Sequence, residues 1–258
     1  MKTRLVCFSV IGVVLLASCV IQGQKTSARI NNIVLVHGAW ADGSGWKAVY
    51  EILVKDGYNV SIVQEPETSF QDDVAATKRV LDQQDGKCIL VAHSYGGSVT
   101  TEAGTHPSVA GLVYIAAHMP DAGESEGENG KRFPSELSKS GAIKTTSDGF
   151  TYLDPARFHQ LFAADVPAEQ AAFMSRSQVL NKAENFLAVI SNPAWRSRPS
   201  WMLVAGNDKT INPDLERWYA VRAKSTTVEV PGASHAVYVS RPKEVAAFIA
   251  KAANSFDK

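Results

Sequence analysis

Four apolar, β-branched runs divide the first half of the chain, at residues 30–36, 58–63, 87–92 and 109–116. The first, 30–36, is nearly continuous rather than alternating, as expected of a parallel strand buried on both faces. Stretches of helical period lie between the runs. One runs from Trp46 to Lys55 and stops at Asp56-Gly57. A second starts at the capping sequence Ser69-Phe70-Gln71-Asp72 and runs to Gln83. A third follows Ser94 to Thr105. Two further strands, 201–206 and 226–230, alternate with helices at 213–223 and 242–253. The pattern predicts an α/β fold, a doubly wound, mostly parallel sheet of about six strands with a site at the strands' carboxyl ends. Residues 121–199 interrupt the alternation. Glu124 to Lys131 is charged and glycine-rich and reads as mobile, and helical stretches follow at 155–162 and 167–185.

Composition narrows the class. The chain has 258 residues and 45% hydrophobic content, enough for one domain with a large core. Lys+Arg 26 balance Asp+Glu 26, and no basic run or repeat points to nucleic acid. Residues 1–28 differ from the rest. Lys2 and Arg4 precede an apolar run from Leu5 to Ala17, too short to span a bilayer comfortably, which is a secretory signal pattern. Leu16-Ala17-Ser18-Cys19 resembles a bacterial lipobox, with Cys19 as the lipidated first residue of the mature protein. Cleavage near Thr26-Ser27-Ala28 and an uncleaved anchor are the competing readings. The expected location is the periplasm or the membrane surface, by an N-terminal lipid anchor. With Cys7 in the leader, Cys88 has no partner for an intramolecular disulfide. The expected domain then spans 29–258.

The candidate chemistry begins at Ile89 to Gly97, a strand that turns sharply into a helix with Ser94 at the apex. Such a turn lifts a serine hydroxyl above the sheet, and it needs small residues on either side for close backbone approach. Ala92 and Gly96 fill those places, Ala92 departing from the usual glycine, and Gly97 adds room behind. Alone, the string equally fits a capping serine at a glycine-rich helix start. A second run, Ile33 to Trp40, ends in His37-Gly38. Acyl transfer requires backbone N–H donors aimed at the developing oxyanion, one after the nucleophile and one in the loop after an earlier strand. Tyr95 and Ala39 hold those positions. Finally, Asp208 follows one late strand and His235 the next. The order Ser, Asp, His assigns Ser94 as nucleophile, His235 as general base and Asp208 as the carboxylate that orients it. Asp214 is a weaker rival, because Pro213 places it in a first helical turn.

The strings VLVHGAW, LVAHSYGG, GLVYIAA, VAGNDKTI and VPGASHAVYVSRPKEV lie in this order over nearly all of the chain beyond the leader. Together they resemble the α/β-hydrolase superfamily, and within it the small bacterial esterase-like hydrolases related to plant methylesterases and hydroxynitrile lyases. The resemblance implies that 121–199 forms a small helical cap over the site. It makes Asp121 a second rival for the acid, since some members carry it one strand earlier. It implies a cofactor-independent hydrolase for a small or medium carboxylic ester, working through an acyl-enzyme. The related lyases carry a lysine after the catalytic histidine, where this chain has Ala236, which disfavours a lyase or C–C hydrolase. A binding protein with vestigial hydrolysis is the alternative from another class. Trp40, His93, His118 and Met119 are candidate substrate contacts, while His37 reads as structural. Phe158, Phe162 and Trp195 could wall a pocket, though core packing is the commoner fate of an aromatic. No metal-ligand spacing or phosphate loop occurs, and oligomeric state is open.

Overall fold

A computed structural model describes Met1 and residues 29–256. The leader, with Cys7 and Cys19, lies outside the described residues. The central sheet takes strands β1 (Asn32–Val36), β2 (Asn59–Ile62), β3 (Cys88–Ser94), β4 (Val109–Ala117), β8 (Ser200–Ala205) and β9 (Thr226–Val230). They pair in the order β2-β1-β3-β4-β8-β9, every pair parallel. Side chains of a strand point alternately to its two faces. Ile33 and Leu35 therefore join one core with α1 (Lys47–Lys55) and α10 (Pro242–Asn254). Val34 and Val36 join the other with α2 (Phe70–Asp82) and α8 (Pro213–Ala223). Both faces of the inner strands β1, β3, β4 and β8 are covered, which is why these read as nearly unbroken apolar runs, whereas the edge strands β2 and β9 are more exposed and carry polar residues. Cys88 is a free, buried thiol on β3, and burial pushes it up to about 11.

The strand order positions the site. From β1 the chain steps to β2 on one side and then crosses to β3 on the other. The loops after β1 and β3 leave in opposite directions, so a crevice opens between them at their carboxyl ends. The sharp turn into α3 (Gly96–Ala103) sits there.

The segment between β4 and β8 corrects two expectations. Glu124 to Lys131 is not a loose stretch, because α4 (Glu126–Arg132) fills most of it. Ser125 caps that helix by accepting from the Glu128 N–H, and Lys131 and Arg132 sit in its last turn, where the helix dipole favours cations. The insertion is also not purely helical. After α5 (Glu136–Ser140), strands β5 (Ile143–Thr145), β6 (Phe150–Leu153) and β7 (Asn181–Lys182) form an antiparallel sheet. Between β6 and β7 lie α6 (Pro155–Phe162) and α7 (Ala168–Arg176), so the helical stretch expected to reach Asn185 ends at Arg176. These strands have two to four residues, too few for a period of two to stand out. Leu153 of β6 and Leu137, Phe158, Leu161 and Phe162 of the helices, with Trp40, Phe70 and Tyr95 of the core, make a third apolar cluster above the sheet.

Candidate active site

Ser94 ends β3 with φ of 54°, a left-handed conformation rare for a residue with a side chain. Strain of this kind costs about 1–3 kcal/mol and persists where the surroundings enforce it. Here they do. A Cβ on Gly96 would collide with the His37 carbonyl oxygen, and one on Gly97 with that of His118. The turn is therefore clamped between the ends of β1 and β4, and only glycine fits at either place.

His235 Nε2 lies 2.9 Å from Ser94 Oγ, and His235 Nδ1 lies 2.6 Å from Asp208 Oδ2. The other carboxylate oxygen, Oδ1, accepts the N–H groups of Thr210 at 2.7 Å and Ile211 at 2.9 Å. Asp208 is thus held by backbone donors on one side and points its free oxygen at the imidazole. Nδ1–H donating to Asp208 leaves Nε2 bare to accept from Ser94, the tautomer a general base needs. His235 is fully buried, its ring packed edge-on against Phe162 of α6 at 4.7 Å between centroids. The rival acids are elsewhere engaged. Asp214 pairs with Arg217 and Asp121 with Arg196.

On the opposite side of Ser94, Ala39 and Tyr95 carry the two candidate oxyanion donors. Among the described residues neither N–H donates to a protein acceptor. The elements behind them are fixed by buried acids. Tyr95 Oη donates to Asp73 Oδ2 at 2.6 Å, and the Glu67 N–H donates to Asp73 Oδ1 at 2.8 Å. The Trp40 N–H donates to Glu67 Oε2 at 3.4 Å, and its indole N–H donates to Thr151 of β6 at 3.1 Å. Trp40 too has a left-handed φ, 63°. His37 ties the end of β1 to the next loop: Nδ1–H donates to the Gly38 carbonyl and Nε2 accepts from the Glu65 N–H. Burial lowers its pKa, so it is a neutral structural hinge. Burial also raises the acids. Asp73 rises to about 6, and Glu65 and Glu67 stand well above the usual carboxylate range.

Above Ser94 opens a cavity of about 630 Å³, a size suited to a small organic molecule. Ala39, Trp40, Ser94 and His118 line its floor, and Phe133, Leu137, Ile143 and Phe186 of the insertion its walls. His93 and Met119 do not reach it. His93 is fully buried beneath the triad, where Nε2–H donates to the His235 carbonyl at 2.9 Å. Burial, then the nearby His235, holds its pKa well below the usual range. Met119 packs in the core under α8, and its carbonyl accepts from Arg222. The Tyr95 side chain likewise turns down to Asp73. Phe158 and Phe162 are buried in the third apolar cluster, and Trp195 donates its indole N–H to the Pro120 carbonyl.

Several residues here carried no sequence signal. Glu126 lines the cavity from within a solvated-looking charge run, and Glu216 is buried beside Asp208. Burial and then the Asp208 charge push Glu216 well above its ordinary range. Among the described residues, no three His, Cys, Asp or Glu side chains gather at metal-ligand spacing.

The profile of the alpha/beta hydrolase family matches residues 33–248, which span every strand of the central sheet and all three members of the Ser94–His235–Asp208 chain. The protein belongs to the alpha/beta hydrolase family. Curated relatives of this alpha/beta hydrolase include the rice esterase PIR7B, 26% identical over 66% of this chain and 71% of that protein. Another is a pyrethroid hydrolase of Sphingobium wenxiniae, 27% identical over 88% of this chain and 89% of its own length. Among solved structures, a pyrethroid hydrolase from Sphingobium faniae superposes with a TM-score of 0.74 at 24% identity, covering 88% of this chain and 98% of its own. That likeness concerns the fold.

Proposed function

We propose that the protein is a serine esterase that cleaves a carboxylic ester of a small or medium molecule through an acyl-enzyme. The observation that carries this is the unbroken hydrogen-bonded chain from Ser94 through His235 to Asp208 at the floor of the cavity. His235 Nε2 takes the Ser94 proton as Oγ attacks the ester carbonyl, and Asp208 stabilises the imidazolium. The N–H groups of Ala39 and Tyr95 receive the oxyanion. Collapse expels the alcohol with the proton from His235, and water then attacks the acyl-enzyme by the same route. Trp40 and His118 contact the bound ester. Relatives named as esterases support the assignment.

A fluorophosphonate probe on wild type and Ser94→Ala tests it. Labelling lost in the variant, together with hydrolysis of p-nitrophenyl esters, supports an activated Ser94, and the chain-length optimum sizes the pocket. A wild type that neither labels nor hydrolyses overturns it.

The leader pattern of residues 1–28 supports export to the periplasm or attachment to the membrane through a lipidated Cys19. Mass spectrometry of the mature N-terminus distinguishes a diacylglyceryl Cys19 from cleavage further on.

A further inference from the structure

The cavity wall is mostly apolar, but two polar side chains meet on one side of it. His118 follows β4, and Glu126 opens α4. Both line the cavity, though Glu126 is only 5% exposed. Each has one polar atom occupied. Ser98 Oγ donates to Glu126 Oε2, and Tyr219 Oη stands 3.5 Å from His118 Nδ1. The remaining atoms, His118 Nε2 and Glu126 Oε1, face each other across 3.8 Å, too far for a hydrogen bond. Neither has another protein partner among the described residues. Both atoms open onto the cavity, where a polar group of a bound molecule can complete them.

The gap has a definite chemistry. Burial raises Glu126 to about 8 and lowers His118 to about 3, so at neutral pH both are uncharged. We assign the Tyr219 hydroxyl as the donor to Nδ1, which places the imidazole proton on Nε2. The pair then offers an N–H and an O–H, and one oxygen atom about 2.9 Å from each fits over the gap. We propose that His118 and Glu126 form a polar subsite that selects esters carrying a second oxygen, a keto or hydroxyl group away from the scissile carbonyl; this rests on the esterase reading above. A site built to bond such an oxygen rejects the plain hydrocarbon analogue, because its buried donors are then left unpaired.

The test is a ratio within each protein, so losses of folded enzyme cancel. Methyl hexanoate is compared with its keto and hydroxy analogues, the oxygen walked along the chain, and hexyl acetate with the corresponding alcohol-side analogues. In wild type, kcat/KM for the best oxygenated ester exceeds that for its plain partner by about tenfold, mainly through KM. His118→Phe brings the ratio near one, whereas Glu126→Gln, which keeps a donor and the shape, retains most of it. A wild-type ratio near one throughout the series, or one unchanged in His118→Phe, overturns the subsite. Binding of the same pairs to Ser94→Ala, followed by Trp fluorescence, reads the subsite without turnover. Preference in binding with no hydrolysis by wild type would sink the esterase assignment and leave the subsite. Ser94-dependent hydrolysis with no preference would do the reverse.

Discussion

The two flanks of Ser94 both bury carboxyl groups, and Asp208 and Glu65 show how differently such groups are supplied with donors. On the His235 flank, Asp208 is 6% exposed but surrounded by donors: two backbone N–H groups on one oxygen and the imidazole on the other. On the Ala39 flank, Glu65 is as deeply buried, yet neither of its oxygens has a hydrogen-bond partner, and Glu67 Oε1 has none either. Desolvation wins there, and those groups hold their protons well above the usual range. Burial without donors leaves nothing at Glu65 to favour the charged form, and even Asp73, with a donor on each oxygen, is raised to about 6. The difference suits the chemistry. A carboxylate belongs where an imidazolium develops, and it would oppose the oxyanion if it lay beneath the donor loops.

The largest way to break this contrast is Asp208→Asn. The amide keeps the shape but presents an N–H to His235 and imposes the wrong tautomer, so kcat falls by about ten-thousandfold while the fold survives. Steady-state kinetics beside a circular-dichroism melt would show it, and a loss below tenfold would contradict the role given to Asp208.

Glu65→Gln sharpens the other flank. Glu65 binds its proton more tightly folded than unfolded, so its stabilising contribution is complete below the unfolded value of about 4.5 and is lost as pH rises through the higher folded value. Asp73 acts in the same sense between 3.8 and about 6. Wild type should therefore lose stability as pH is raised from 5 to 8, and Glu65→Gln should lose less, by roughly 1–3 kcal/mol in urea unfolding. Parallel curves for the two proteins would refute the raised pKa.

A smaller effect is expected from Tyr95→Phe. It strips Asp73 Oδ2 of its donor, costing about 1–3 kcal/mol in stability. Because the Tyr95 N–H is a proposed oxyanion donor, kcat should drop about tenfold with KM nearly constant. A change in KM alone would separate Tyr95 from the transition state.

The smallest is Glu216→Gln. Burial and the adjacent Asp208 charge favour the uncharged form of Glu216, so the neutral amide should leave kcat/KM within about threefold. A hundredfold loss would mean that its proton takes part in the reaction.

The core was legible along the chain because each strand is a local pattern with a local consequence. A nearly unbroken β-branched run between helical stretches, such as 32–36, points to a buried parallel strand, and even the exposed edge strand β9 and the helix α8 fall at the ends that composition marks. Ser94, Asp208 and His235 were legible for the same reason: each follows a strand, at a turn whose shape small residues enforce. The insertion was not. Glu124 to Lys131 has the composition of a solvated loop, and only Ser98, His118 and the cavity around it make Glu126 a buried acid. His93 shows the same limit from the other side, since its neighbours in sequence place it near Ser94 but not above or below the sheet's end.

The sequence by itself determined the parallel sheet, the sharp turn at Ser94 and the order in which Ser94, Asp208 and His235 meet the strand ends, because periodicity, glycine spacing and strand ends act over a few residues. Tertiary structure alone decided which acids are buried and with which donors, which histidine meets the cavity and what lines its walls. Those outcomes depend on desolvation and on partners brought from elements more than a hundred residues away, as with the Trp40 indole and Thr151, 111 residues apart, and no local pattern encodes them.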